Sequence, residues 1–318
     1  MFLLVIFIIV IGGLTRLTDS GLSITEWELF RGILPPLNLI EWNFYFNEYK
    51  KIPEFRSINY NMSLDEFKVI YYWEYAHRLI ARMIGLFAII PLVFIFFKYK
   101  YDLLKDLRYL SIFGLVCFQG LLGWFMVKSG LINNTDVSHY RLASHLGVAL
   151  IILSLTFWFI LQNLKINKFD KKINIQFLTF FLIIIIIQII LGAFLAGLNG
   201  GLLYNSWPDM NGSFIPNDIT NTDLYSLETL NNPSVIQFYH RFFAYILIFF
   251  LIILNYLFLN RKIKSKSILF FNFAILFQII LGIITLLTGV KIYYASLHQL
   301  GSVFVLTSFL FIYYKSIN

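Results

Sequence analysis

Four histidines recur at matched places in this chain. His77 lies in YYWEYAHRLIARMIG (71–85) and is echoed by His240 in YHRFFAYIL. His145 in SHLGVAL is echoed by His298 in LHQLGSVFV. The first two are 163 residues apart and the second two 153, while Gln119 and Gln278, each opening a Q-x-x-L-G run, are 159 apart. A third such run begins at Gln188. Neutral imidazole is a good iron ligand. Facing helices that each offer one make a bis-histidine haem site. A single histidine at a helix end is usually an interfacial hydrogen-bonding residue. Four, at equivalent places in a duplicated sequence, point to two paired sites: His77 with His145, and His240 with His298. His139, in DVSHYRLASH, has no counterpart in the second half and reads as a surface or substrate-adjacent residue.

Charged groups accompany the pairs. Arg78 and Arg241 each directly follow a histidine. A guanidinium there can meet a carboxylate bidentately, so a haem propionate is the expected partner; snorkelling to lipid headgroups is the plainer alternative. Glu74 stands three residues before His77, on the same helix face, and Gln237 holds that place before His240. The first half thus has a group able to move protons or stabilise positive charge. The C-terminal half is suited only to holding its ligand. A helix-start glutamate favoured by the helix dipole is the alternative for Glu74.

The elements that must position these residues are membrane spans. Of 318 residues, 59% are hydrophobic and only 13% charged, with a mean hydropathy of +0.75. About 20 apolar residues cross a bilayer core of roughly 30 Å, and helices satisfy their own backbone in lipid. The expected fold is an all-α polytopic membrane protein with eight transmembrane helices, near 1–14, 69–97, 108–127, 141–162, 174–197, 235–259, 267–289 and 293–314. The net charge of +8 does not signal nucleic acid. Lysines and arginines sit in short connections at 98–108, 165–172 and 261–266, the positive-inside pattern. Residues 198–232 carry four acidic residues and neither Lys nor Arg. Both termini are therefore expected in the cytoplasm, and all four paired histidines near the outer surface.

Each repeat holds four spans, so the halves are expected to be parallel repeats about an axis along the membrane normal. They form two four-helix bundles, 1–165 and 166–318. MFLLVIFIIVIGGL lacks a basic leader and a cleavage site, and reads as a short first span; the expectation is that the start is misplaced or a few residues precede it. Cys117, the only cysteine, supports neither a disulfide nor a thiolate metal site. Gly120, Gly123, Gly192 and Gly282 are expected to allow close helix packing. Gln119, Gln188 and Gln278 are expected to bond between helices.

On residues alone three functions stay open: a haem-binding oxidoreductase, a di-haem cytochrome b passing electrons, and a transporter with parallel repeats. The Glu74–Gln237 asymmetry favours the first. Transporters place polar groups near the midplane, where these spans are nearly bare.

Longer motifs then narrow the choice. GGLTRLTDSGLSITEW (12–27), EFKVIYYWEYAHRLIAR (66–82), DVSHYRLASHLG (136–147), LGAFLAGLNGGLLYNSWPDMNG (191–212), QFYHRFFAY (237–245) and LGIITLLTGVKIYYASLHQLGSV (281–303) resemble the haem A synthase family, in the branch of mitochondria and related bacteria. The resemblance covers nearly the whole chain in order. It implies oxidation of the C8 methyl of haem O to a formyl group by two successive hydroxylations, supplying haem A for terminal oxidase assembly. It implies a permanent haem b on His240 and His298, substrate haem O on His77 and His145, and an essential glutamate at Glu74. The membrane would be a bacterial inner membrane. Some members carry a cysteine pair in an outer loop, a part Cys117 cannot play. The sequence names neither the electron donor nor the oligomeric state. A homo-oligomer and a hand-off from haem O synthase, the protohaem farnesyltransferase, are both compatible with it.

Overall fold

The computed structural model describes residues 1–27, 31–99, 106–133, 135–171 and 173–317. Among them are ten α-helices and no β-strand. Two compact units divide at Thr156/Phe157.

In the first unit, α1 (Phe2–Leu17), α4 (Leu64–Lys98), α5 (Leu107–Asn133) and most of α6 (His139–Asn163) are the long apolar helices. Helix α1 packs on α4, and α4 on α5. Between α1 and α4 lie two short helices, α2 (Leu39–Tyr49) and α3 (Pro53–Ser57). In the second unit, α7 (Ile175–Gly197) packs on α8 (Pro233–Asn260), α8 on α9 (Lys266–Leu287), α9 on α10 (Ile292–Ser316), and α10 back on α7.

Seven helices, α4 to α10, are long and apolar enough to cross a membrane. Helix α1 has 16 residues. At 1.5 Å per residue that is about 24 Å, short of a core of roughly 30 Å. Exposed Leu86, Ile90, Phe94, Ile252, Leu269 and Phe273 give the spans an apolar outer face suited to lipid. Asn255 and Asn272 exchange amide hydrogen bonds of 3.0 and 2.7 Å between α8 and α9, the usual interhelical glue in lipid.

Helix α4 starts five residues before the span expected from hydropathy. Its first turn is polar and fixed by a capping box: Glu66 N–H donates to Ser63 Oγ, and Ser63 N–H to Glu66 Oε2 at 2.8 Å. This extension is covered by α2. Phe46 stacks on Phe67 at 5.0 Å and Trp42 meets Tyr71 edge-on at 5.1 Å. Helices α2 and α3 thus belong to a folded layer over this end of α4.

Beneath it, Tyr49 donates its hydroxyl hydrogen bond to Glu54 at 2.8 Å, and both are buried. Burial pushes the Glu54 carboxyl up to about 7, with the charges of Glu74, Asp19 and Asp136 adding and the Tyr49 bond opposing. The folded chain keeps this proton to higher pH than the unfolded chain, whose carboxyl has its ordinary value of 4.5. Unfolding thus releases the proton between those values, and stability must fall as pH rises. Local stability is expected to be full below pH 4.5 and to decline through about 7. At full effect the loss is on the order of 3 kcal/mol, one unit being about 1.4 kcal/mol. Hydrogen exchange of amides 46–59 across that range checks this, and Glu54→Gln should flatten the profile.

A second outcome concerns Gly301 on α10. A Cβ there would lie 2.1 Å from Gln278 Oε1 on α9. Gly301→Ala should cost about 1–3 kcal/mol, the usual range for overpacking. Thermal unfolding in detergent reads the loss. Gly85→Ala is the control, because its added Cβ meets nothing within 4 Å.

Candidate functional site

The structure brings the histidines together as pairs, one within each unit. The His77 and His145 ring centroids are 6.4 Å apart with planes at 54°. Those of His240 and His298 are 6.3 Å apart at 81°. His145, His240 and His298 lie about two turns into their helices, at 3.6 residues per turn. His77 is nearly four turns in, because α4 carries the outer extension. His139 is the first residue of α6, against Tyr140 at 4.3 Å and outside both pairs.

Each imidazole rests on a glycine of another long helix. A Cβ on Gly12 would be 3.2 Å from His77 Nε2; one on Gly123, 3.1 Å from His145 Cε1. Gly192 and Gly282 face His240 Cε1 and His298 Cε1 at 3.2 and 2.9 Å. Gly120, by contrast, meets nothing within 4 Å. The three glutamines bond between helices, each Nε2 donating 2.9 Å to a histidine main-chain carbonyl: Gln119 to His145, Gln188 to His240, Gln278 to His298.

Glu74 and Gln237 do parallel work above the pairs. Glu74 is 3% exposed. Its Oε2 accepts from Ser23 Oγ at 2.7 Å and Ile24 N–H at 2.8 Å. Its Oε1 accepts from Arg78 Nε at 3.0 Å and from a terminal guanidinium nitrogen at 2.7 Å. Arg78 also donates to the Ile24 and Glu26 carbonyls. The pair thereby clasps the 20–26 loop onto α4. In the second unit Gln237 donates to the Tyr204 carbonyl at 3.1 Å. Arg241 donates to the carbonyls of Tyr204, Ser206 and Asp209 at 2.8, 3.0 and 2.9 Å. That loop is braced by Asp209, whose side chain accepts from Ser206 Oγ and Gly212 N–H and lies below its usual carboxylate range because of those bonds. In the first clasp the arginine pairs with a carboxylate on its own helix, and in the second it meets main-chain carbonyls.

Sequence reasoning missed the Ser23 loop, which meets Glu74 across about 50 residues of chain. It also missed Gly12; GG at 12–13, one long helix before His77, was the available signal.

Two imidazoles per site are too few for a bare metal ion, which takes about four ligands in a typical protein site. Among the described residues no cluster of three or more His, Cys, Asp or Glu exists. Such a donor set suits a metal that brings its own equatorial ligands. With metal–nitrogen bonds of about 2 Å plus the ring half-widths, such a metal would hold two imidazole centroids about 6 Å apart. The observed separations match that value.

A family model described as cytochrome oxidase assembly protein matches residues 1–310. The chain belongs to this family. A heme A synthase of Pelagibacter ubique is 61% identical over 318 residues, covering 100% of this chain and 95% of that protein. Those of Rickettsia felis and Agrobacterium fabrum are 42% and 41% identical, covering 98% and 95% of this chain and 94% and 84% of theirs. As a cytochrome oxidase assembly protein of several apolar spans, the chain is a multi-pass membrane protein.

Proposed function

We propose that the chain is a haem A synthase, oxidising the C8 methyl of haem O to a formyl group. The observation that carries this is the duplicated histidine pair at a spacing that admits a flat macrocycle, in a chain whose relatives bear that name. An atom orphaned by burial fits such a group: Arg241 Nε is buried without a hydrogen-bond partner and suits an anionic propionate.

On this reading α1 is the eighth span, and two four-helix bundles, 1–165 and 166–318, are parallel repeats in a bacterial inner membrane with both termini cytoplasmic. His240 and His298 would hold a resident haem b, which supplies electron relay when bound. His77 and His145 would hold haem O as substrate. The methyl is oxidised in two two-electron hydroxylations, to alcohol and then geminal diol, each needing an oxidant from outside the chain, and the diol loses water to leave the aldehyde.

The chain's own residues bind, orient and exclude water. Gln119 and Gln278 fix the depth of His145 and His298. Arg78 and Arg241 close the outer loops over the sites and serve the propionates. Glu74 holds the loop through its carboxyl oxygens and assists proton removal or stabilises positive charge as the methyl is oxidised. Its buried setting strengthens any charge interaction at the reacting carbon.

The test is the haem content of the purified chain with and without a haem O source. Haem b alone without it, and haem b plus haem O or its oxidised products with it, is expected. Haem b in both sites under both conditions would favour the electron-transfer cytochrome instead.

A further inference from the structure

Three of the four imidazoles are seated alike, and one is not. His145, His240 and His298 each turn the Cε1 edge of the ring to a glycine, at 3.1, 3.2 and 2.9 Å from its added Cβ. Four residues before that glycine stands a glutamine whose amide holds the histidine's main-chain carbonyl. At His298 the ring Nδ1 also meets the Gln278 main-chain carbonyl at 3.2 Å. A carbonyl there fixes the Nδ1–H tautomer and leaves Nε2 free to ligate. The seat thus sets depth and ring rotation at all three histidines, and at His298 the tautomer as well.

His77 departs in the ring edge it presents and in the residue that stands before its glycine. It turns its Nε2–Cδ2 edge to Gly12, at 3.2 and 3.4 Å. Four residues before Gly12 stands Ile8, which has no side-chain amide to donate.

A site that turns over its haem has a requirement that a resident site lacks. Each cycle must break the iron–ligand bonds to release product. Two imidazoles locked in place would hold the product as firmly as the substrate. One locked and one free to rotate would position the macrocycle yet let it leave. We infer that Gln119, Gln188 and Gln278 with their glycines are positioning residues that make His145, His240 and His298 fixed ligands, and that His77 is the exchangeable ligand of the substrate site. This rests on the proposed assignment of the first pair to substrate.

The seats predict which haem admits an outside ligand. Carbon monoxide binds reduced six-coordinate haem only after an axial ligand leaves. The full chain, purified with both sites loaded, is reduced and mixed with carbon monoxide. The optical change is then assigned to a site with His77→Ala and His298→Ala as references. In wild type, carbon monoxide should bind the first-unit haem at least tenfold faster than the second. Ile8→Gln, which supplies the missing amide, should slow that binding. Gln278→Met, which fills the space but cannot donate, should open the second-unit haem. Equal rates at the two sites in wild type, or a Gln278→Met protein whose second site stays closed, would overturn the inference.

Product analysis keeps the two claims apart. Haem A formed by a wild-type chain with equal carbon monoxide rates sinks the seats and spares the synthase. No haem A, with unequal rates, does the reverse, since the comparison can be made with haem b in both sites.

Discussion

Glu74→Gln should fold and still lose oxidation of haem O. The second unit supplies the precedent for folding. There a glutamine, Gln237, occupies the equivalent place beside Arg241, and the outer loop is held by carbonyl acceptors. Arg78 has comparable partners in the Ile24 and Glu26 carbonyls. An amide at position 74 can still accept from Ser23 or Ile24. It cannot carry negative charge or take a proton. Turnover should fall by about 10²–10⁴-fold, the range for a positioned proton-transfer group.

Glu74→Ala is a different experiment. It strips four donors of their acceptor and leaves Arg78, with 14% of its side chain exposed, without its ion-pair partner. Breaking a buried pair by removing one member costs about 3–5 kcal/mol. That variant should lose both fold stability and activity. The ratio of haem A to haem O extracted beside each variant, with melting temperatures, separates the two. A Glu74→Gln protein with full turnover would make Glu74 a loop clasp and nothing more.

The second large effect concerns haem retention. His240→Ala or His298→Ala should strip the resident haem b and leave haem O bound in the first unit. His77→Ala or His145→Ala should keep haem b and weaken retention of haem O. Each pair lies within one unit, with its two rings 6.3 or 6.4 Å apart. Loss of one ring leaves an iron with a single protein ligand and spares the other pair. Haems extracted from the four variants and quantified per chain read the pattern. Loss of both haems from any single variant would contradict independent sites.

Much of this was legible because duplication repeats its signal. The histidine pairs and glutamine bonds follow from residues recurring at offsets of 153 to 163 on helices, where spacing fixes the face. Seven spans are visible in hydropathy for a related reason: lipid demands long apolar runs. The outer layer was not legible. Trp42, Phe46 and Tyr49 have helical spacing, but α2 has 11 residues and sits in a stretch of mixed charge. Its stability comes from packing on α4, which no local pattern shows. The Ser23–Glu74 clasp joins distant residues with no shared periodicity. The Asn255–Asn272 pair was hidden likewise, each residue resembling a lone polar interruption. The expected close packing at Gly120 failed because an added Cβ there meets no neighbour. Gly123, nearly one turn further along α5, is the glycine that meets His145, and local sequence does not separate the two.

The central claim is that this chain converts haem O to haem A. The direct measurement is mass identification of haems extracted from cells that co-express wild-type chain with a haem O source and lack any other synthase. The account predicts haem A in those extracts, and haem O with traces of the alcohol in Glu74→Gln extracts. Haem b and unreacted haem O alone beside the wild-type chain, with both sites occupied, would contradict it.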